Sequence, residues 1–386
     1  MIREAAISIY LFIFKVFFLL FRMFPLKNKA TFVSSFGDNC SIILQEMKQQ
    51  NIPYKTVFLK AKKSKANIEG DGETIVFNYG TPNILHWLAS VYHLATAKVI
   101  IIDNYFAFLS AASFKPEVKC VQVWHAAGAV KRFGLQDPSN INRSSRANKR
   151  FSQVYKQFHY ATVGSESMAH IYKESFGLQD QNILKTGVPR TDFFFNEKAK
   201  SEAIHSLQNK YPDLTGKKTI LYAPTYREDQ LNTDTLSLDI DVLHQKLFNE
   251  GCVLLLKLHP AVTVSASFEN DYPGFLYNLS HYHDINELLL ITDLLITDYS
   301  SIPFEYSLLG RPMIFYPYDL EEYEQERGFW EDYVSTMPGP VVFSTDAIVE
   351  EIMKNNMDQE ILDQFKHKWN EYSTGSSAKK LVDFLF

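Results

Sequence analysis

Two histidines follow apolar, strand-like runs at distant points of the chain. His125 comes directly after VKCVQVW, and His259 stands at the end of CVLLLKLH. An imidazole with an ordinary pKa of about 6.5 can take and return a proton, so both are candidates for acid–base chemistry. A histidine that only packs a turn is the structural alternative. The small residues at 126–128 favour a functional role for His125, because they would let a ligand approach closely.

Cations and a hydroxyl stand at two further strand ends. Thr225 and Arg227 follow the run TILYAP. Lys257 precedes His259 by two residues, so both would point to one side of a strand before Pro260 stops it. A guanidinium presents a planar fork that matches a phosphate. The pattern predicts an anionic ligand, and a solvated arginine in a loop is the equally open alternative.

The run LLITDYSSIPFEYSLLG, residues 294–310, is typical of a strand, a polar turn and a helix. Asp298, Ser300 and Ser301 lie in the turn, and Glu305 lies inside the helix, where it could orient a ribose. Free N–H groups and the dipole at a helix start bind anions. A serine that only caps the helix is the alternative. Neither a GxxxxGK[ST] nor a GxGxxG motif occurs in the sequence.

Two other segments have less specific patterns. In TGVPRTD, Gly187 permits a tight turn and Asp192 could cap the next element, although an ordinary interdomain turn explains both residues. A basic cluster follows His125, and it indicates either a solvated loop or contact with the phosphates of a lipid or acceptor. Its members are Lys131, Arg132, Arg143, Arg146, Lys149 and Arg150.

The elements that must position these residues alternate between strand and helix in two successive halves. Such alternation predicts two α/β domains with parallel sheets, at 28–195 and 217–386, separated by a polar interval near 196–218. Ligands of such sheets bind beyond the carboxyl ends of the strands, so we expect the site in a cleft between the domains. Strands are predicted at 30–34, 55–59, 74–77, 98–103, 120–124, 160–163, 183–186, 219–223, 252–258, 275–278, 294–297 and 313–315. Helices are predicted at 41–50, 83–96, 166–176, 241–249, 284–291, 302–309, 347–355 and 359–386.

Composition narrows the class of protein. A chain of 386 residues, 46% of them hydrophobic, is long enough for two packed cores. A formal net charge of −5 argues against a nucleic-acid partner. The three cysteines are far apart and form no CxxC pair, which indicates a reducing compartment and no structural zinc.

The N-terminal segment 1–27 contains the strongly apolar run AISIYLFIFKVFFLLFRMFPL. Lys15 and Arg22 interrupt it seven residues apart, so they share one helical face. This pattern is typical of an amphipathic helix that lies in a membrane surface with its cations on anionic headgroups. A buried core helix and a membrane-spanning helix are the alternatives.

Six motifs occur in one order along the chain: WHAAG, TGVPRTD, YAPTYR, KLHP, TDYSSIPFEY and YPYDLEEYEQERGFW. In this order they closely resemble the CDP-glycerol glycerophosphotransferase family, the teichoic acid primases and polymerases of Gram-positive bacteria. The resemblance covers nearly the whole chain from about residue 30. It implies the GT-B architecture of two Rossmann-like domains, with CDP-glycerol bound by the second. It also implies transfer of glycerol phosphate from CDP-glycerol to an acceptor, with release of CMP.

The resemblance also implies roles for individual residues. The proposed base falls on His125, and the histidine that faces the pyrophosphate falls on His259. Further substrate-binding positions fall on Thr225, Arg227, Lys257, Asp298, Ser300, Ser301, Glu305 and Arg327. Family members often have glycine after the first histidine, whereas this chain has Ala126, which concerns the detailed shape of the pocket.

Chain length points to one branch of the family. The chain is near the size of a catalytic unit plus one helix, which resembles the priming enzymes; their acceptor is the undecaprenyl-diphosphate-linked ManNAc-GlcNAc disaccharide. A peripheral location on the cytoplasmic face of the membrane follows. No tightly bound cofactor is implied, and a Mg²⁺ carried by the diphosphate stays open. The alternatives are a polyglycerol- or ribitol-phosphate polymerase, a GT-B sugar transferase or epimerase, and a non-catalytic nucleotide-binding membrane module.

Overall fold

The computed structural model of the protein describes residues 2–61, 64, 68, 70, 72–80, 82–227, 236–259, 262 and 269–386. These residues form two compact units. The first unit comprises Met1–Ala127, Phe133–Asp192 and Asn370–Phe386. The second comprises Gly128–Arg132 and Phe193–Trp369.

The first unit is built on a seven-stranded parallel sheet whose order, β3-β2-β1-β4-β5-β6-β7, is that of a Rossmann-like unit. The strands are β1 (Lys27–Ser34), β2 (Lys55–Ala61), β3 (Thr74–Tyr79), β4 (Ala97–Ile102), β5 (Lys119–Gln122), β6 (Tyr160–Thr162) and β7 (Ile183–Leu184). The helices are α1 (Ile2–Arg22), α2 (Asp38–Gln49), α3 (Ile84–Ala95), α4 (Ser145–Tyr155) and α5 (Glu166–Phe176). Strand residues such as Phe32, Phe58 and Ile101 form its core.

The second unit repeats the plan with five parallel strands in the order β10-β9-β8-β11-β12. The strands are β8 (Lys218–Ala223), β9 (Cys252–Leu256), β10 (Leu276–Asn278), β11 (Leu294–Thr297) and β12 (Met313–Phe315). The helices are α6 (Glu197–Lys210), α7 (Ile240–Leu247), α8 (Ile285–Leu290), α9 (Ile302–Tyr306), α10 (Leu320–Arg327), α11 (Tyr333–Thr336), α12 (Thr345–Lys354) and α13 (Gln359–Asn370).

The predicted α/β alternation is confirmed, and every predicted strand is present: β11 and β12 have the predicted bounds, and the other strands have at least one end shifted by one to three residues. The polar interval predicted at 196–218 instead contains α6, which buries Ala203 and Leu207 among charged neighbours. The basic stretch after His125 likewise contains a helix, α4. Both helices were missed because few apolar residues mark their inner faces.

The last helix, α14 (Ser377–Leu385), belongs to the first unit. Leu381 and Val382 are fully buried in the core of that unit. The Asp192 carboxylate accepts the backbone N–H groups of Ser377 at 2.9 Å and Ala378 at 2.8 Å, at the start of the helix. The prediction of a second domain that runs to 386 is therefore wrong for this helix, because its apolar face completes the earlier core.

The apolar N-terminal segment forms α1, which is long and apolar enough to cross a membrane by length and composition. One face packs on the first unit, where Phe14 and Phe18 are buried against Trp87, Phe108 and Phe114. The opposite face stays exposed. Its largest exposed apolar side chains are Ile9, Phe12, Ile13, Val16, Leu19 and Leu20.

Candidate active site

His125 follows β5 in the first unit, and its imidazole is held in one orientation. Nδ1 lies 3.1 Å from the backbone carbonyl oxygen of Asp103, at the end of the neighbouring strand β4. Because a carbonyl oxygen only accepts hydrogen bonds, Nδ1 carries the proton and Nε2 holds the lone pair. The backbone oxygen of His125 accepts a hydrogen bond from Arg190 Nη1 at 2.8 Å. This histidine has the tautomer that a general base acting through Nε2 requires.

The surroundings of His125 keep the imidazole neutral. Burial lowers its pKa from the ordinary value to about 4, against the hydrogen bond and negative charge of Asp103. Arg190 lowers the pKa further, while Asp38 raises it. The ring is therefore unprotonated near pH 7 and able to accept a proton.

In the second unit, Arg227 is buried in a double ion pair. Its Nε lies 2.7 Å from Asp319 Oδ2, and its Nη2 lies 3.0 Å from Asp298 Oδ2. Nη1 donates to the backbone oxygen of Thr225 at 2.5 Å. Sequence analysis assigned this guanidinium to a phosphate, whereas the structure places it between two carboxylates. Its role here is to hold the loop after β8 against the turn after β11.

Asp298 also has a structural role. Oδ1 accepts the Thr225 backbone N–H at 2.7 Å, and the backbone oxygen accepts the Tyr333 hydroxyl at 2.9 Å. Burial alone would raise the pKa of Asp319, but the Arg227 guanidinium and the Tyr299 hydroxyl lower it below its usual value. The carboxylates of Asp298 and Asp319 thus both stabilise the loop after β8 through Thr225 and Arg227.

The turn before α9 offers fewer free backbone donors than the sequence predicted. Ser300 Oγ accepts the N–H of Ile302 at 3.2 Å, and Pro303 has no N–H to offer. The helix itself has five residues, so its dipole is small. The hydroxyls of Ser300 and Ser301, both half-buried, remain the polar groups that this turn can present. Glu305 is buried inside the helix.

Thr225 and His259 line a cavity at the carboxyl ends of β8 and β9. Thr225 Oγ1 is covered by protein and has no hydrogen-bond partner among the described residues. His259 is exposed, and its ring lies 4.7 Å from that of Tyr226. This part of the second unit therefore presents the His259 imidazole at its surface, whereas the Thr225 hydroxyl lies beneath the surface.

Lys257 does not extend along a strand beside His259, because β9 already ends at Leu256. Its ammonium donates to the backbone oxygens of Ser280 and Tyr282, each at 2.8 Å, and so it holds the loop after β10. Pro260 lies outside the described residues. Arg327 is exposed at the end of α10 and pairs with Glu326 at 3.1 Å.

Lys131 is a candidate that the sequence placed only in a basic cluster. It belongs to the short segment Gly128–Arg132 of the second unit, where it forms an isolated antiparallel bridge with Phe329. Its ammonium donates to the Tyr323 hydroxyl at 3.2 Å. Burial lowers the pKa of Lys131 to about 8, partly offset by the charge of Asp298. The rest of the cluster is dispersed, since Arg143 pairs with Asp137 and Arg150 pairs with Glu4.

Asp103 and Arg190 are the residues of the His125 turn that sequence analysis missed. Asp103 directly follows β4, so the rule that drew attention to other strand ends would have found it. Arg190 carried no such signal beyond its place in TGVPRTD. No group of three or more histidine, cysteine or acidic side chains suited to a metal ion is found in the described part of the chain.

Two Rossmann-like units with parallel sheets, and ionisable side chains after their strands, define a two-domain α/β protein with a GT-B-like fold. The chain belongs to the CDP-glycerol:poly(glycerophosphate) glycerophosphotransferase family, whose model matches residues 15–386. This membership confirms the family resemblance and the assignment as a CDP-glycerol glycerophosphotransferase of teichoic acid synthesis.

Relatives in Bacillus have the names of both priming and polymerising enzymes. The chain is 36% identical over 386 residues to the teichoic acid glycerol-phosphate primase of Bacillus subtilis (strain 168), covering 100% of this chain and 98% of that one. It is 34% identical over 399 residues to the teichoic acid poly(ribitol-phosphate) polymerase of Bacillus spizizenii, covering 99% of this chain and 59% of that one.

Solved structures share the fold. A variant of the wall teichoic acid polymerase TagF superposes with a TM-score of 0.81 at 22% identity, covering 100% of this chain and 97% of that one. A UDP-GlcNAc 2-epimerase from Neisseria meningitidis bound to UDP-GlcNAc superposes with a TM-score of 0.57 at 15% identity, covering 92% of this chain and 99% of that one. At these identities the likeness concerns the fold alone.

Proposed function

We propose that the protein transfers glycerol phosphate from CDP-glycerol to an undecaprenyl-diphosphate-linked ManNAc-GlcNAc disaccharide and releases CMP, as the priming step of wall teichoic acid synthesis. The observation that carries the proposal is the 36% identity to a glycerol-phosphate primase along almost the full length of both chains. The polymerase relative is considerably longer, and the alignment covers 59% of it.

In the proposed reaction, an acceptor hydroxyl attacks the β-phosphorus of CDP-glycerol. A new O–P bond forms, the bond from that phosphorus to the bridging oxygen breaks, and CMP departs with the electron pair, nearly in line. His125 Nε2 takes the proton of the hydroxyl. The neutral, oriented imidazole described above supports this role.

The donor side of the proposal uses the second unit. His259 and the hydroxyls of Ser300 and Ser301 would contact the diphosphate, where negative charge grows on the departing phosphate. The Thr225 hydroxyl is covered by protein and is not among these contacts. The family resemblance assigns Glu305 to the ribose, although its side chain is buried in this structure, and the exposed Arg327 would add a cation. Arg227, Asp298 and Lys257 act through the loops they hold. A Mg²⁺ ion that arrives with the diphosphate remains compatible with this scheme.

We also propose a peripheral location on the cytoplasmic face of the membrane, with α1 lying in the bilayer surface. The helix contacts the first unit along its length, from the Glu4–Arg150 ion pair to the Phe21–Tyr92 ring contact. A helix bound in this way could cross a bilayer only if α3 and α4 entered the hydrocarbon with it. Lys15 is exposed and available for anionic headgroups, whereas Arg22 is half-buried.

Product analysis tests the proposal. The protein is incubated with CDP-glycerol and the lipid-linked disaccharide, and the lipid product is weighed by mass spectrometry. One added glycerol phosphate per acceptor, with one CMP released, is the expected result. A ladder of products would instead identify a polymerase, and no CMP release would remove the proposed function altogether.

Donor specificity is tested in the same assay. A ribitol-phosphate primase of Bacillus spizizenii is 31% identical over 375 residues, so CDP-ribitol is the informative competitor. We expect CDP-glycerol to be used and CDP-ribitol and UDP-GlcNAc to be poor competitors. Faster turnover of CDP-ribitol would replace the glycerol donor in the proposal, and conversion of UDP-GlcNAc would favour an epimerase.

A further inference from the structure

The imidazole of His125 lies between two aromatic rings. The Phe36 ring is stacked on it with centroids 4.0 Å apart and an interplanar angle of 13°. The Trp124 ring is stacked on it at 4.3 Å and 27°. Two rings side by side on one face could not both come this near, so they cover opposite faces of the imidazole.

Trp124 is held in an unusual backbone conformation. Its φ is 50°, in the left-handed region that bulky residues rarely adopt, immediately before His125. The Asn39 side-chain amide donates to the Trp124 backbone oxygen at 2.8 Å, and Gln122 Oε1 accepts the Trp124 N–H at 2.9 Å. These contacts hold Trp124 in this conformation and thereby fix its ring on one face of the His125 imidazole.

Asp103 fixes the loop that places Phe36 on the opposite face. Its carboxylate accepts hydrogen bonds from the backbone N–H groups of Ser35 at 2.8 Å, Phe36 at 3.0 Å and Gly37 at 3.0 Å. The Ser34 hydroxyl donates to the same carboxylate at 2.6 Å. Because the backbone oxygen of Asp103 also accepts from His125 Nδ1, one residue ties both the histidine and the loop of Phe36 to the end of β4.

We propose that Phe36 is a positioning residue for the glycerophosphotransferase reaction, which fixes the plane of the His125 imidazole and shields one of its faces from water. This role rests on the proposed function of His125 as general base. Phe36 acts through the imidazole, and its side chain is 39% exposed, so Phe36→Leu keeps an apolar side chain at a partly open position while removing the stacked ring. The charged groups that face the imidazole are Asp38, Asp103 and Arg190. The hydrogen bonds of Asp103 and Arg190 to His125 do not involve the phenyl ring, so we expect both residues to stay in place in Phe36→Leu.

Titration of His125 tests the proposal without any substrate. The protein is labelled with ¹³C-histidine, the His125 signal is assigned by its absence in His125→Gln, and its pKa is followed in the wild type and in Phe36→Leu. We expect the pKa of His125 to rise from about 4 towards the ordinary value in Phe36→Leu. Phe36→Tyr, which keeps the ring, should leave the pKa of His125 as low as in the wild type. Phe343→Leu, at an exposed phenyl of the second unit, is the control.

The pH dependence of kcat/KM for CDP-glycerol provides the second readout. In Phe36→Leu the acid limb should move to higher pH with the His125 titration, and kcat should fall by up to about tenfold, as expected for loss of an aromatic stack. An unchanged His125 pKa, or a loss of activity that is uniform in pH, would overturn the proposal. If the pKa of His125 shifts in Phe36→Leu but the wild-type protein does not turn over CDP-glycerol, Phe36 still positions His125 and the proposed function is wrong.

Discussion

At the scale of single residues, His125 shows how ordinary contacts prepare an imidazole for chemistry. A backbone carbonyl selects its tautomer, and burial lowers its pKa to about 4. The lowered value widens the pH range in which the base is unprotonated. It also weakens the base, since a lower pKa means a smaller affinity for the proton it must take. Orientation and shielding by its neighbours must therefore contribute to its reactivity.

The pH dependence of the reaction follows from this pKa. A base works in its unprotonated form, so kcat/KM should fall as the pH drops through the folded value of about 4 and stay level from there to neutral pH. His125→Gln should lower kcat by about 10²- to 10⁴-fold, the usual contribution of a general base, with an unchanged thermal unfolding profile. A pH profile with its limb near the ordinary histidine value, or a His125→Gln enzyme with near-normal turnover, would assign the base to another group.

Arg227 was predicted from the sequence to bind a phosphate, but in the structure it forms ion pairs with two carboxylates. Arg227→Ala would leave the carboxylates of Asp298 and Asp319 without their shared cation inside the protein. We expect the free energy of unfolding in urea to fall by about 3–5 kcal/mol. The exposed Arg327→Ala, measured in the same way, should change it by less than about 0.5 kcal/mol. An Arg227→Ala protein of normal stability with a raised KM for CDP-glycerol would restore the original assignment to a phosphate.

At the scale of elements, the sequence predicts most of the architecture. Apolar runs such as VIII in β4 and CVLLL in β9 were recognisable because strands buried on both faces are continuously apolar. The amphipathic helices α4 and α6 were missed among charges, and α13 and α14 were predicted as one helix. Capping of α14 by Asp192, 185 residues earlier in the chain, depends on tertiary structure that no local pattern contains.

The candidate site divides in the same way. Strand-end positions drew attention to His125 after β5 in the first unit, and to Thr225 and His259 after β8 and β9 in the second unit. The sequence could not show which of them would be neutralised by a partner. Arg227 and Asp298 are both at predicted positions, yet they pair with each other across 71 residues. Long-range charge pairing of this kind is settled by the packing of loops and has no signature in spacing.

The segment Gly128–Arg132 positions the side chain of Lys131. Its bridge to Phe329 and the hydrogen bond from Arg132 N–H to the Gly328 oxygen at 3.0 Å hold the Lys131 ammonium beside the turn of Asp298. We expect Lys131→Met to lower kcat/KM for CDP-glycerol by about 10- to 100-fold, as for loss of a charged hydrogen bond to a phosphate. The exposed Lys246→Met is the matched control. Equal kinetics for the two variants would leave Lys131 with a structural role alone.

At the scale of the whole molecule, α1 gives the first unit an apolar surface that its own core does not need. Phe12 is 67% exposed and Met23 is 82% exposed, and α3 begins with two more exposed apolar residues, Ile84 and Leu85. Soluble monomers rarely display large apolar patches without a partner. The proposed acceptor has a lipid that stays in the bilayer, and this would give the enzyme a reason to present such a face to the membrane.

Vesicle binding tests this reasoning. We expect the protein to sediment with phosphatidylglycerol-containing vesicles more than with phosphatidylcholine vesicles, because Lys15 faces outward. Phe12→Asp should strongly reduce binding to both, whereas Phe343→Asp, at an exposed phenyl of the second unit, should bind as the wild type does. Lys15→Gln should weaken binding to anionic vesicles alone, by about fivefold for one lost cation near the surface.

Carbonate at high pH should release the bound protein, since a helix in the interface is held less firmly than a spanning one. Resistance to carbonate would show that α1 crosses the bilayer, and normal binding of Phe12→Asp would place the membrane contact elsewhere on the protein.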